Sequence, residues 1–547
     1  MKNQPDLLFA MTVWLMALAV MLGGATRSGF VGDVIAQFLA LPLLLAVLWT
    51  VLDTWSRRTH VLLALSAGGV LVTALQLMPI PPHLLDGSAA HQLVLAGRLA
   101  AGNATEAWRP VSVAPQHTVL AAISVLPALA IFGSTLLMST AQQWRLTQVL
   151  MIMVTVSLAV GLVQVAQGSS SELRFYAITN PTEAVGFFAN RNHFAALLYC
   201  GLVFAAAGIA ARLHRSTMDH SNSVFATARG SVRANGWLVG LLYALLIIGI
   251  VAGLVMTRSR AGLFLGVVAI VGVAGLFAQS LRKVPYVGAH RRTMRSSRWS
   301  ATSLVRYASF GLLGFAILFA LGFGFDRLAS RFAADPLEDL RIPLNQTTLE
   351  LAWSHLWTGT GLGTFVPVYG AFEKSGDVFP VYANRAHNDL AEFVLELGMI
   401  GVGIIVAFIG WLIVCTTRQW GELRSPTTSA DNDGVLLGAA ASLVLVLIAC
   451  HSVVDYPLRT TAISVVFAFC CGVLASRQIF EAESSSAYIG LEHGDPSELN
   501  NGRHLARTPP LRQDAYGDVA RIENPWRPDT SWPEAWRRAN RSNDPKD

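Results

Sequence analysis

The chain has 547 residues, of which 53% are hydrophobic and only 14% charged, against roughly 25% charged in an ordinary soluble domain. That balance excludes a soluble enzyme, and the continuous apolar stretches exclude a membrane barrel, whose strands alternate. Forty basic against 34 acidic residues leave a net charge of +6, which in such a chain reports its cytoplasmic loops and gives no ground for a nucleic-acid partner.

Nearly charge-free stretches long enough to cross hydrocarbon lie near 8–24, 34–52, 61–78, 119–139, 147–166, 194–211, 236–256, 261–280, 307–325, 399–416, 434–451 and 460–476. The expected fold is therefore all-α and polytopic, with about twelve transmembrane helices in residues 1–476. The first span has only Lys2 before it as a base and no small-residue cleavage site after it, so it is expected to remain as a helix. With that N-terminus in the cytoplasm, Arg57, Arg58, Arg212, Arg215, Arg229, Arg233 and the acid-free run from Arg282 to Arg306 all fall on the cytoplasmic side. The segments 79–118, 167–193 and 326–388, of mixed charge, fall on the periplasmic side. Residues 477–547 form a polar tail returned to the cytoplasm, expected to be largely disordered.

The residues that break this pattern are candidates for chemistry. Asn190-Arg191-Asn192-His193 enters the sixth span from the outer side, with the asparagines suited to capping the helix and Arg191 adding a positive charge at the membrane lip. Thr257-Arg258-Ser259-Arg260 joins two spans on the same side, where arginines are disfavoured; they either grip an anionic ligand or snorkel to lipid phosphates. In the large outer loop 326–388, residues 346–357 suit a helix on the membrane surface, with Leu349, Trp353, Leu356 and Trp357 as its apolar face. After the turn Gly359 to Gly363 the chain reaches Arg385-Ala386-His387-Asn388-Asp389. A helix succeeds it, with Asn388 as its N-cap and Leu390, Phe393, Val394 and Leu397 at the spacing of a buried face. His387 stands just before that N-terminus, a position that suits a neutral imidazole, the form a general base needs; His193 and His355 compete with it for the role. His451 and Asp455, four apart, read as a structural pair. The sequence has no phosphate-binding GxxxxGK[ST] loop and no HExxH, and its large outer loop carries no DxD-like pair, so neither a cofactor nor a metal is expected. The five cysteines lie in apolar stretches without CxxC spacing.

Taken together, Thr257 to Gly262, Gly359 to Phe365, and Arg385 to Leu390 followed by Glu396-Leu397-Gly398-Met399-Ile400-Gly401 resemble the bacterial O-antigen ligase and polymerase superfamily, as does the segment Phe187 to Phe194. The resemblance is close over about 185–415 and extends to the rest by topology; the long tail departs from it. It implies a membrane glycosyltransferase of the C-class fold in the inner membrane, acting at the periplasmic face. The donor is a glycan on undecaprenyl diphosphate, and the acceptor a hydroxyl of lipid A core or of a growing glycan. It further implies His387 as the residue that activates the acceptor and Arg258 and Arg260 as the diphosphate holders, with Arg191, Arg341, Arg385 and Asn388 as further substrate contacts. Ligation to lipid A core leads these readings. Polymerisation of O-antigen or exopolysaccharide, protein O-glycosylation, and flipping of a lipid-linked glycan are the alternatives, the last disfavoured because the charges gather at one face and leave the spans nearly empty.

Overall fold

The structure is a computed structural model that describes residues 4–27, 29–54, 56–102, 108–221, 230–282, 341–374, 383–424 and 432–492. It is an all-α polytopic membrane protein, with ten helical segments among the described residues long and apolar enough to cross a bilayer. In chain order the first are α1 (Gln4–Leu22), α2 (Val31–Thr54), α3 (Arg57–Leu77), α4 (Ala89–Ala100), α5 (Pro115–Ser124), α6 (Leu126–Leu137), α7 (Thr140–Gln167), α8 (Arg191–Ser221), α9 (Gly230–Thr257) and α10 (Arg260–Arg282). They are followed by α11 (Arg341–Ser354), α12 (Phe365–Phe372), α13 (Asp389–Leu397), α14 (Met399–Glu422), α15 (Asn432–His451) and α16 (Thr461–Glu492). The span expected at 307–325 lies outside the described residues. The chain divides into two units, Met1–Glu483 and Ser484–Asp547, and the first contains the helical bundle. A short antiparallel ribbon in it pairs Pro79 and Ile80 with Pro110 and Arg109.

Hydropathy locates the spans, and local chemistry sets their ends. Pro127, in the first turn of α6, breaks one membrane-crossing segment into α5 and α6 because it lacks the N–H that would continue the helix. Ser139 and Gln142 form a reciprocal cap at the start of α7. Ser259 caps α10, its hydroxyl accepting from the Gly262 amide at 3.0 Å. Gly398, at φ +59°, lets α13 turn directly into α14.

The bundle is organised around α8. Every residue of α8 from 192 to 211 is buried, whereas α3 and α14 bury only 11% and 17% of their most apolar stretches. α8 packs against α7, α9, α10 and α15, and the seven alanines between 195 and 211 permit close approach. At one crossing a Cβ on Gly262 would lie 2.4 Å from the Ala195 Cβ, so only glycine fits there. Phe194, Tyr199, Phe204 and Phe469 fill the space between the helices.

A second, smaller core joins α11, α12 and α13 through Leu344, Leu351, Phe365, Tyr369, Ala386 and Leu395. On α11 and just beyond it Leu349, Trp353 and Trp357 are exposed and Leu356 is half-buried, and the helix runs from Arg341 to Ser354 where the sequence pattern predicts 346–357. On α13 the expected face is partly reversed. Leu397 is buried, but Leu390, Phe393 and Val394 are only half-buried, and Asp389, Glu392 and Glu396 lie inside with Leu395. The physical reason is ion pairing: Arg385 and Arg459 meet these carboxylates and offset part of the cost that would otherwise keep them in water.

Candidate active site

Three segments far apart in sequence meet at one end of α8. Asn192, in its first turn, donates from Nδ2 to Asp455 Oδ2. The Asp455 Oδ1 atom lies 3.1 Å from His387 Nδ1 and accepts the Tyr456 amide at 2.9 Å. The turn carrying Arg258 is held beside the same helix start, because Met256 accepts the Ala184 amide at 3.1 Å and Gly262 packs on Ala195. The glycines after α1 complete the floor, Gly24 accepting the Ala189 amide at 3.0 Å and Gly23 the Ala462 amide at 3.0 Å.

His387 combines two unusual properties. Its backbone sits at φ +53°, a left-handed conformation disfavoured for any side chain with a Cβ, and its imidazole is partly open, at 21% exposure, against a fully buried Asp455. Burial opposes the charge of Asp455, but the hydrogen bond from His387 and the fields of Arg341, His387 and His193 outweigh it, holding the carboxyl well below the usual carboxylate range. An ionised Asp455 fixes the tautomer with the proton on Nδ1, which leaves the Nε2 lone pair of His387 to accept a proton. The Tyr456 ring stands edge-on to His387 with 4.8 Å between centroids, limiting its rotation.

The other histidines fare differently. His355 accepts the Ala90 amide at Nε2, 3.2 Å away, and its Nδ1 lies 2.9 Å from the Leu351 carbonyl, so both ring nitrogens are engaged, one tying α4 to the end of α11 and the other turned back onto α11 itself. His193 is fully buried, with Nε2 3.9 Å from Asp455 Oδ1. His451 does not bond the Asp455 carboxylate, as its spacing suggested; its Nδ1 meets the Tyr199 hydroxyl at 3.0 Å, while the carboxylate turns to His387.

The arginines divide by partner. Arg258 is exposed, at φ +51°, and makes no ion pair among the described residues. Arg260 opens α10 half-buried. Arg191 pairs with Glu183 at 3.1 Å, and Arg385 with Glu392 at 2.8 Å. Arg341, at the start of α11, acts electrostatically on Asp455, His193 and His451. Asn388 is occupied as the α13 cap, accepting the Ala391 amide at 3.0 Å. Among the described residues no cluster of His, Cys, Asp or Glu is arranged to hold a metal ion.

Sequence reasoning missed the importance of the 452–460 connection, which supplies Asp455, Tyr456 and Arg459. The available signal was two charges, Asp455 and Arg459, in a short link between two nearly charge-free helices.

Comparison with known proteins bears on this arrangement at one point. Residues 242–406 match the family described as O-antigen ligase. The match takes in Arg258, Arg260, Arg341, Arg385 and His387 but not Arg191 or Asp455, and it supports the resemblance to the O-antigen ligase and polymerase superfamily, whose members are membrane glycosyltransferase-type enzymes. No curated protein matches the chain.

Proposed function

We propose that this multi-pass membrane enzyme transfers a glycan from undecaprenyl diphosphate to an acceptor hydroxyl at the periplasmic face of the inner membrane, with inversion at the anomeric carbon and without a metal, and that its acceptor is lipid A core. The observation that supports this reading best is the His387 and Asp455 pair, 3.1 Å apart, at the same end of α8 as the exposed Arg258. A sugar diphosphate carries its own leaving group, so the reaction needs a base at the incoming hydroxyl and fixed positive charge at the departing phosphate. His387 Nε2 takes the hydroxyl proton as the oxygen attacks the anomeric carbon, and Asp455 stabilises the imidazolium that forms. The glycosidic bond to phosphate breaks on the opposite face, and Arg258, with Arg260, holds the released diphosphate. Polymerisation of O-antigen or exopolysaccharide demands the same donor chemistry and differs only in acceptor.

The test is transfer in reconstituted membranes from a lipid-linked donor. His387→Ala should lower turnover by roughly 10²-fold or more with little change in donor affinity, whereas Arg258→Ala should weaken donor binding as well. Full activity in His387→Ala would end the general-base reading. Glycan phenotype then separates the acceptors: a null strain that accumulates polymer on its carrier and lacks long glycan on lipid A indicates ligation, and one with single capped repeats indicates polymerisation.

A further inference from the structure

The ion pairs of α13 do more than make its acidic face compatible with burial. Glu392 Oε2 accepts the Ala386 amide at 3.0 Å and its Oε1 meets Arg385 at 2.8 Å, which fixes the two residues immediately before His387. Two residues after His387, the Asp389 amide donates to the Ser452 and Asp455 carbonyls at 2.8 and 3.2 Å. The Asp389 carboxylate accepts from the Ser452 hydroxyl at 3.0 Å and from the Leu458 amide at 3.1 Å. Those contacts bracket Asp455 as the others bracket His387. One side chain joins both brackets. Arg459 Nη2 lies 3.0 Å from Glu396 Oε2 and 3.5 Å from Glu392 Oε1, and its Nε lies 3.6 Å from Asp389 Oδ1.

We propose that Arg459 is a positioning residue for the transfer reaction, a planar clamp that holds α13 to the 452–460 turn and thereby sets the separation of His387 from Asp455. The inference rests on the functional reading above, in which that pair activates the acceptor. Arg459 has two features suited to the task. A guanidinium spreads its donors in one plane and meets several carboxylates at once, which an ammonium does not. The three acids also lie along one face of a short helix, so a single cation from the opposing turn fixes both its rotation and its height. Without the clamp, the left-handed backbone at His387 has less to hold it, since such conformations persist only where their surroundings enforce them.

Arg459→Lys tests the idea because it keeps the charge and removes the fork. The expected result is a folded protein whose kcat falls by up to about 10²-fold, the loss typical of a misplaced reacting group. Its KM for an undecaprenyl-diphosphate-linked repeat unit stays unchanged, because the clamp touches no part of the donor site. Wild-type kcat, or a lower melting temperature with kcat per folded molecule intact, would overturn the proposal and leave Arg459 a purely structural residue. If Arg459→Lys does not accumulate, Glu396→Gln is the second variant. It removes one jaw of the clamp without stranding a buried cation, and the same kcat-only loss is expected; wild-type behaviour overturns the proposal. His387→Ala distinguishes the two levels of failure. If it transfers at full rate, the functional reading falls; if it is inactive while Arg459→Lys and Glu396→Gln are normal, only the clamp falls.

Discussion

Arg258 and His387 are the described non-glycine residues with positive φ, and both stand out in the sequence as a charged or titratable group at a membrane lip. Such backbones cost on the order of 1–3 kcal/mol each and cluster where function demands them. Asp455 escapes the same reasoning because its i, i+4 spacing from His451 suggests a local pair, whereas its true imidazole partner, His387, lies 68 residues earlier in the chain. Replacing the carboxylate while keeping its shape isolates its contribution: Asp455→Asn should reduce kcat by about 10²-fold or more with donor KM little altered, as read from initial rates across donor concentration. Asp389 offers a separate prediction. Burial, opposed by Arg459 and assisted by Glu392, pushes its pKa from 3.8 up to about 7. Between those values the folded protein keeps a proton that the unfolded chain has lost, so this group lowers stability progressively as pH rises through the window and no further above it. Asp389→Asn should therefore gain melting temperature relative to wild type between about pH 5 and 8, measured in detergent; a constant difference across that range would contradict the assignment.

Among the elements, α13 shows what a hydrophobic pattern can and cannot reveal. Its existence and its Asn388 cap follow from local chemistry, and both are present. Which side of it faces inward depends on Arg459, a residue more than sixty positions away whose charge lets Asp389, Glu392 and Glu396 go inside; no window of neighbouring residues contains that information. The junction between α13 and α14 is equally constrained by a distant contact. A Cβ on Gly398 would stand 2.5 Å from the Leu356 carbonyl and 2.7 Å from the Gly359 amide, at a φ that side chains resist. Gly398→Ala should lower stability by about 1–3 kcal/mol and disturb the end of α13 nearest Glu396, seen as a lower melting temperature together with reduced transfer. An unchanged melting temperature would show that the junction has room to relax.

For the molecule as a whole, ten of the spans expected from hydropathy are present among the described residues as helices long and apolar enough to cross, because each helix satisfies its own backbone in lipid, whatever its neighbours. The arrangement of spans is not legible, since it depends on contacts such as Gly262 on Ala195 that leave no periodic trace. Alternating passage assigns the two ends of the bundle to opposite sides, and labelling tests this directly. In a Cys450→Ser background, which removes an exposed native thiol, a cysteine in place of exposed Glu350 should react with an impermeant reagent in whole spheroplasts. One in place of Ala141, at the other end, should react only after lysis; the converse pattern would invert the topology. The enclosure of α8 has a consequence for how the enzyme tolerates its host membrane. A bilayer whose acyl chains are longer or shorter than the spans strains only helices that touch lipid, here above all α3 and α14, while residues 192–211 of α8 are screened on every side. The helix that carries Asn192 to Asp455 thus stands at a depth fixed by protein, and transfer rates should stay nearly constant across reconstituted lipids of differing chain length, even where melting temperature varies.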